Sequence, residues 1–207
     1  MKLVIATDNK NKLREIKEIA AVMKVPGNIE ILSLGDFQNA PEVVEDGLTL
    51  EENAIKKARE ISEFTGLIAL ADDTGLEVNK LNGEPGVYSA RFAGEQCSYE
   101  DNNKKLLSLL KDIPDSKRTA RFRCVIAVVV PNGKTYTVEG VMKGKIAAKA
   151  QGDNGFGYDP IFIPEGQNKT FSQMSSEEKN KISHRGAALR KSKEILLEIL
   201  SNSSYNK

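Results

Sequence analysis

The chain has 207 residues, of which 30 are basic and 29 acidic, and its formal net charge is +1. This balance argues against a protein that coats nucleic acid or lies on a membrane surface. Hydrophobic residues make up 40% of the chain, which is enough for a sizeable core, and no apolar run approaches membrane-spanning length. The cysteines lack metal-ligand spacing, and the N-terminal apolar run is too short for a signal peptide. We therefore expect a soluble, cytoplasmic protein that binds neither nucleic acid nor membranes.

The first third of the chain predicts alternating strands and helices. Strands are expected at residues 3–6, 29–34 and 67–71. Apolar residues recur at helical spacing from Leu13 to Met23, and Pro26 and Gly27 end that helix. A capping box of Thr49 with Glu52 begins a second helix, which runs to about residue 64. The β-α-β-α-β order predicts an α/β architecture.

The rest of the chain predicts turns, a hairpin and further helices. Strands are expected at residues 118–130, 135–141 and 161–163, and helices at 98–111, from 175 and over 183–200. Residues 131–133 would turn the first two of these strands into a hairpin, whereas residues 76–92 and 143–152 are expected to be turn-rich or irregular. The sheet should therefore be mixed, within a single domain over residues 1–200 that is followed by a polar tail, 201–207.

A polar segment from Thr7 to Lys12 lies where a strand ends and a helix begins. Backbone N–H groups are unpaired at a helix start, and the helix dipole there favours anions, so the segment could hold phosphate. The alternative is an ordinary cap by Asp8 or Asn9 with solvated lysines, and taken alone this segment favours that alternative.

Two adjacent carboxylates, Asp72 and Asp73, are expected to follow a buried strand and precede a glycine turn. Carboxylates at such a strand end can hold Mg²⁺ and orient water; the alternative is a turn capped by Asp73. One acid from residues 41–52 could complete a metal site, and the sequence alone does not choose among them. Lys56 and Lys57 on the following helix are interpreted as solvated.

Residues 155–160 and 183–186 combine glycines, aromatic rings and the single histidine. Glycines beside Phe156 allow the backbone to approach a ligand closely, and the rings of Phe156 and Tyr158 could stack on a base. His184 and Arg185 could donate hydrogen bonds to phosphate or to a base carbonyl. Together these residue types indicate a nucleotide-like ligand, whereas residues 83–92 are better explained as a structural loop.

Six motifs occur in one order that resembles the inosine triphosphate pyrophosphatase family. They are residues 7–12, 52–54 with 57–58, 71–76, 85–91, 155–160 and 183–186. Each motif is weak alone, but six in register are specific, and the resemblance covers nearly the whole chain. It implies an elongated α/β fold with a mixed twisted sheet flanked by helices, in two lobes with a central cleft.

The resemblance also implies an activity and a set of site residues. Such enzymes hydrolyse ITP, dITP and XTP to the monophosphate and pyrophosphate, need Mg²⁺ and usually form homodimers. By position, Asp73 would be the general base, and Glu45 and Asp73 the Mg²⁺ ligands, with Asp72 close behind. Phosphates would be held by Thr7, Asp8, Asn9, Lys10, Asn11 and Lys12. The substrate pocket would be completed by Thr74, Phe156, Gly157, Tyr158, Asp159, Lys179, His184 and Arg185.

Three other functions compete with this interpretation. A related pyrophosphatase acting on modified pyrimidine or methylated nucleotides would have a similar fold, but the Ser-His-Arg element argues against it. A nucleotide sensor without turnover would lack the acids that this chain keeps at positions 72 and 73. A nucleic-acid-binding module would need a basic face, which the near-zero net charge disfavours.

Overall fold

The computed structural model describes residues 1–23, 29–131 and 133–201. The helices are α1 Lys10–Met23, α2 Leu50–Thr65, α3 Tyr99–Leu109, α4 Ser176–Ile182 and α5 His184–Ser201. The strands are β1 Lys2–Ile5, β2 Glu30–Ser33, β3 Ile68–Val78, β4 Pro85–Gly86, β5 Thr119–Val129, β6 Thr135–Ile146 and β7 Phe162–Pro164. Within the described ranges, no helix is long and apolar enough to cross a membrane.

The seven strands form one mixed sheet in the order β2-β1-β3-β5-β6-β7, with β4 paired to β3. Strand β1 runs parallel to both neighbours, and Val4 lies opposite Leu32 on β2 and Ala69 on β3. Strand β7 runs antiparallel to β6, as β4 does to β3. Parallel pairing early and antiparallel pairing late confirm the predicted α/β class and the mixed sheet.

The chain divides into two compact units. The first unit, here unit 1, comprises Met1–Asp73, Cys124–Gly140 and the C-terminal residues from Arg185. Its hydrophobic core is built from β1, the start of β3, the end of β5, α1 and α5, and includes Ile5, Ile16, Leu70, Ile126 and Leu196. The helical spacing of apolar residues on α1 thus matches the face that the helix buries.

The second unit, unit 2, comprises Thr74–Arg123 and Val141–His184. Its core contains an aromatic cluster in which the ring centroids of Phe122 and Phe162 are 4.7 Å apart and those of Phe162 and Phe171 are 5.3 Å apart. Such edge-to-face and tilted ring pairs add stability beyond their buried area. The cluster is part of the buried core of unit 2, together with Leu76, Leu106 and Ile161.

The predicted boundaries of α2 are confirmed in atomic detail. The Thr49 hydroxyl accepts a hydrogen bond from the Glu52 N–H, and the Glu52 carboxylate accepts one from the Thr49 N–H in return. Gly66 ends the helix in the left-handed conformation, with φ of 67°, which glycine adopts without steric cost. These caps fix where α2 begins and hence which of its side chains face β3.

Two strands extend further than the sequence predicts. Strand β3 continues through Asp72, Asp73 and Gly75 to Val78, so the predicted glycine turn is wrong. Strand β6 continues to Ile146 through residues expected to be irregular. The predicted hairpin is confirmed, because the Val130 N–H bonds to the Lys134 carbonyl between neighbouring strands β5 and β6. The predicted end of the first helix at residues 26–27 and the tail 202–207 lie outside the described residues.

Candidate active site

The start of α1 is capped by its own side chains, as the simpler interpretation expects. The Asn9 side-chain oxygen accepts hydrogen bonds from the backbone N–H groups of Asn11 at 3.0 Å and Lys12 at 3.1 Å. The Thr7 hydroxyl accepts one from the Asn9 N–H at 3.3 Å. Asp8 and Lys10 are exposed at the same helix start. The Asn9 side chain therefore forms the helix cap, and Lys10 and Lys12 are the cationic groups of this segment.

Asp72 is the centre of a buried ionic network in unit 1. Its carboxylate accepts hydrogen bonds from Arg185 Nη2 at 3.0 Å and Nε at 3.3 Å, and Lys12 Nζ lies 3.4 Å away. Arg185 Nη1 bonds in turn to the Glu15 carboxylate at 2.5 Å. Arg185 is only 1% exposed, so its guanidinium is bound by protein carboxylates and is not presented to a ligand. The role of Arg185 in the substrate pocket stays a prediction.

Asp73 belongs to a second cluster built around Lys57. The Lys57 ammonium contacts Asp73 Oδ1 at 3.3 Å, the Asp72 carbonyl at 2.8 Å and the Glu45 carboxylate. The Asn53 side-chain amide contacts Asp73 Oδ2 at 3.4 Å. Lys57 is 7% exposed, so the expectation that it is solvated is wrong. Burial is possible because its charge faces two carboxylates and a carbonyl.

The two adjacent aspartates differ in their protonation behaviour. Burial raises the pKa of the Asp73 carboxyl above its ordinary value, and Lys57 and Lys12 offset this only in part. Burial acts in the same direction on Asp72, but the charges of Lys12 and Arg185 outweigh it and hold the pKa well below its usual range. For Glu45, attraction to Lys57 likewise outweighs burial and lowers the pKa. Asp72 is thus a fixed anion, whereas Asp73 is the acid nearest to taking up a proton.

The charge of the combined clusters leaves room for a cation. Together they contain one more negative than positive charge, from Glu15, Glu45, Asp72 and Asp73 against Lys12, Lys57 and Arg185. Glu45 and Asp73 already converge on one ammonium, so the position attracts positive charge. In the ranges 1–23, 29–131 and 133–201, no three acid, histidine or cysteine side chains are grouped to hold a metal ion. Two carboxylates with the remaining ligands from phosphate and water fit a Mg²⁺ site.

In unit 2, Asp159 organises the loop that carries Phe156. Asp159 Oδ2 accepts hydrogen bonds from the Phe156 N–H at 2.8 Å and from Lys179 Nζ at 2.5 Å. The Lys179 ammonium lies 4.9 Å from the Phe156 ring centroid, in a cation–π contact. Gly155 has φ of 76°, and a Cβ there would lie 2.2 Å from Asp159 Oδ2. The loop therefore needs glycine at 155, and it holds Phe156 half-buried beside a fixed cation.

The other predicted residues of unit 2 are buried or half-buried. The Tyr158 ring lies in the hydrophobic core at 5% exposure, and its hydroxyl donates to the Ser89 carbonyl at 2.9 Å. The predicted stacking surface on Tyr158 is therefore enclosed by protein. The His184 ring is buried and stacks on Phe122, with centroids 4.4 Å apart. Gly157 presents its carbonyl to the Asn103 amide at 3.0 Å, and Thr74 is half-buried on β3.

Comparison with known proteins identifies the family. The Ham1 family model matches residues 3–195. The chain belongs to the Ham1 family. A curated relative from Desulforamulus reducens, called dITP/XTP pyrophosphatase, is 54% identical over 95% of this chain and 96% of its own length. A second curated relative, from Geobacter sulfurreducens and also called dITP/XTP pyrophosphatase, is 52% identical over 91% of this chain and 92% of its own length.

A solved HAM1 protein structure from Coxiella burnetii has a TM-score of 0.85 to this fold. The two sequences are 40% identical, and the alignment covers 96% of this chain and 99% of the other. The family resemblance inferred from the motifs is therefore confirmed, and so is the α/β fold that it implies.

Three residues to which the sequence assigned no role contact predicted site residues, and of these Asn53 alone lies in one of the six motifs. Glu15 holds Arg185, Asn53 contacts Asp73, and Asn103 holds the Gly157 carbonyl. Helical spacing carries part of this information, because Glu15 follows Lys12 by three residues and Lys57 follows Asn53 by four. Such pairs share a helix face, but spacing alone does not show which strand they face.

Proposed function

We propose that this chain is a nucleoside triphosphate pyrophosphatase that hydrolyses the non-standard purine nucleotides ITP, dITP and XTP. The products would be the nucleoside monophosphate and pyrophosphate, with Mg²⁺ as cofactor. Near-full-length relatives named dITP/XTP pyrophosphatase support this substrate class. The observation that carries the proposal is geometric: Glu45 and Asp73 converge on the Lys57 ammonium, beside an Asp72 that Arg185 and Lys12 hold.

Asp73 is the group suited to activate water in this proposal. A general base works best when its pKa lies nearer to the operating pH, and burial moves the Asp73 carboxyl in that direction. Lys57 and Asn53 contact its two oxygens and hold the carboxylate in one orientation. Asp73 would take the proton from the water that attacks the α-phosphorus, and the P–O bond to pyrophosphate would break.

Glu45 and Asp73 would hold Mg²⁺ together with oxygens of the triphosphate. When bound, the ion would supply positive charge that offsets the charge of the phosphates and of the leaving pyrophosphate. Lys57 already holds both carboxylates, so the protein side of the site is preassembled. Asp72 stays ionised behind them, bound to Arg185.

Lys12 is the cation best placed to bind phosphate oxygens. Its ammonium is held by Asp72 at 3.4 Å, and 16% of its side chain is exposed, so the charge is oriented and still accessible. Lys10 is exposed one helical position away from the cap and adds positive charge. Thr7, Asp8, Asn9 and Asn11 build the turn from which α1 begins, and the helix dipole there favours anions.

Phe156 is the ring proposed to stack on the base. It is half-buried, flanked by Tyr99 at 6.0 Å between centroids and by the Lys179 ammonium. Gly157, Tyr158, Asp159 and Lys179 would shape its loop, with Thr74 and His184 as further pocket residues.

Selection of 6-keto purines would rest on hydrogen-bond donors. Donors that pair with a 6-keto oxygen would be left unpaired by the amino group of adenine, which costs about 1–3 kcal/mol per buried group. ATP should therefore be a poor substrate. Guanine also carries a 6-keto group, so its rejection must use the 2-position of the base.

A substrate panel tests the proposal. We would measure pyrophosphate release from ITP, dITP, XTP, ATP, GTP, dTTP and dUTP, with Mg²⁺ and with a chelator, using an Asp73→Asn protein prepared in parallel as the control for contaminating activity. Release from ITP, dITP and XTP that chelation abolishes is expected. Equal turnover of ATP and ITP would overturn the assigned selectivity. Release from pyrimidine triphosphates alone would favour the pyrimidine alternative, and no release at all would favour the sensor.

We also propose that the enzyme is a homodimer, as the family resemblance implies, and that it is cytoplasmic, as the sequence indicates. A house-cleaning hydrolase must share a compartment with the nucleotide pool that it clears. Light scattering on the purified chain would measure its mass, and a monomer at micromolar concentration would contradict the dimer. Cell fractionation would test the compartment.

A further inference from the structure

We infer that Glu15 is a positioning residue for the phosphate-binding lysine, acting through Arg185 and Asp72 on Lys12. The inference rests on the proposed function, because it assumes that Lys12 binds substrate phosphate. It deepens that proposal by giving the buried Arg185 a task that does not require contact with a ligand.

The four side chains form one continuous line of contacts within unit 1. Glu15 Oε2 bonds to Arg185 Nη1 at 2.5 Å, and Arg185 bonds through Nη2 and Nε to Asp72 Oδ2. The same oxygen, Asp72 Oδ2, lies 3.4 Å from Lys12 Nζ. The guanidinium and the ammonium thus share a single carboxylate oxygen, so a change in the position of one cation alters the electrostatic attraction on the other.

Burial makes this line of contacts electrostatically strong. The side chains of Arg185, Asp72 and Glu15 are exposed by 2%, 0% and 6%. Solvent therefore screens the three charges little, and the low local dielectric strengthens each pair. Lys12 is the member of the line that reaches water, with 16% of its side chain exposed. The end of the line that can meet a ligand is the lysine.

The charge of Glu15 determines how strongly Asp72 holds Lys12. In the native protein, Glu15, Arg185 and Asp72 together carry one net negative charge, which attracts the lysine. Without the charge of Glu15, these three side chains are neutral overall and the attraction on Lys12 weakens. The ammonium then samples more positions, and it loses this conformational entropy when phosphate binds, which weakens binding.

The position of Glu15 on α1 suits this task. Glu15 follows Lys12 by three residues, so both side chains lie on one face of the helix, and Lys12 on that face contacts Asp72 of β3. A buried glutamate is costly unless its charge is paired, and Arg185 provides the paired charge here.

A double-mutant cycle on the full chain tests the inference. We would compare wild type, Glu15→Gln, Lys12→Ala and the double variant, measuring kcat and KM for ITP at saturating Mg²⁺. We would also measure the inhibition constant of pyrophosphate, which lacks a base and therefore reports the phosphate contacts alone. Glu18→Gln, an exposed glutamate on the same helix, is the matched control for loss of one charge.

Glu15→Gln should raise both KM and the pyrophosphate inhibition constant about fivefold, with kcat within about twofold of wild type. In the Lys12→Ala background, the same change should have no further effect on either constant. Glu18→Gln should match wild type. Equal, additive effects of Glu15→Gln in both backgrounds would overturn the inference and leave the proposed function intact. Lys12→Ala with wild-type KM would instead refute the phosphate role of Lys12 in the proposed function itself.

A second variant, Arg185→Lys, tests the inference if the Glu15→Gln protein does not fold. Arg185→Lys keeps the buried positive charge but loses the planar fork that bridges two carboxylates. It should raise the pyrophosphate inhibition constant in the wild-type background and leave it unchanged in the Lys12→Ala background. An equal rise in both backgrounds would overturn the inference. Circular dichroism and thermal unfolding of each variant establish that only folded proteins are compared.

Discussion

Replacing Asp73 with asparagine should remove most of the turnover while leaving the fold intact. The two Asp73 oxygens make only long contacts, 3.3 Å to Lys57 and 3.4 Å to Asn53, and an amide fills the same volume. Lys57 keeps Glu45 and the Asp72 carbonyl as partners. The free energy of unfolding should therefore change by no more than about 1 kcal/mol. Loss of a general base should lower kcat by roughly 10²- to 10⁴-fold.

The neighbouring change, Asp72→Asn, should act mainly on stability, whereas Asp73→Asn should act mainly on kcat. Asp72 is fully buried and bonded to Arg185 through two nitrogens, and its lowered pKa shows that the native state favours its charge. Removing one partner of such a buried pair costs on the order of 3 kcal/mol, because the other charge stays behind. Asp72→Asn should thus be much less stable than Asp73→Asn.

Chemical denaturation and steady-state kinetics of both variants decide between these roles. Urea midpoints give the stability order, and pyrophosphate release from ITP with Mg²⁺ gives kcat. The reasoning is refuted if Asp73→Asn retains a kcat within tenfold of wild type, or if it is the less stable of the two variants. Wild type and Glu18→Gln, purified in parallel, set the range of normal values.

Three further predictions concern the acid–base behaviour and the loop of unit 2. Because Asp73 must be deprotonated to accept a proton, kcat/KM should fall as the pH drops through its pKa, which burial places above the ordinary 3.8. Lys57→Met removes an attraction that lowers this pKa, so the acidic limb of the pH–rate profile should move to higher pH. An acidic limb that stays in place or moves to lower pH contradicts the assignment. Gly155→Ala should destabilise the protein by about 1–3 kcal/mol in urea unfolding and raise KM, since a Cβ would meet Asp159 at a positive φ; wild-type stability would contradict the clash. Lys179→Met and Asp159→Asn should each cost about 3 kcal/mol, and the double variant should cost less than the two combined, whereas strict additivity would show that the pair is not coupled.

Local signals predicted the helices of this fold well. The Thr49 capping box, the glycine that ends α2 and the serine that begins α4 all act through neighbouring residues, so a short stretch of sequence contains the whole interaction. The parallel pairing of β1 with β2 and β3 followed from strands separated by helices. These features need no knowledge of distant contacts.

The errors lie where a distant partner decides the structure. Polar residues at 72–75 indicated a turn, but Asp72 stays in a buried strand because Arg185, 113 residues later in the chain, compensates its charge. Lys57 was interpreted as solvated because its acidic partners are 12 and 16 residues away on other elements. The core of unit 2 likewise encloses the Tyr158 ring, whose role in substrate binding stays a prediction. No local pattern encodes these pairings.

The continuation of β3 through both aspartates is what separates their chemistry. Successive side chains of a strand point to opposite faces, so Asp72 and Asp73 meet different surroundings although they are adjacent. One carboxylate faces Arg185 and Lys12 and is held ionised; the other faces the α2 residue Lys57 and has a raised pKa. In the turn that the sequence suggested, both would be solvated and would titrate alike. A buried strand therefore gives two identical residues different electrostatic surroundings, and a one-residue slip of β3 would exchange those surroundings.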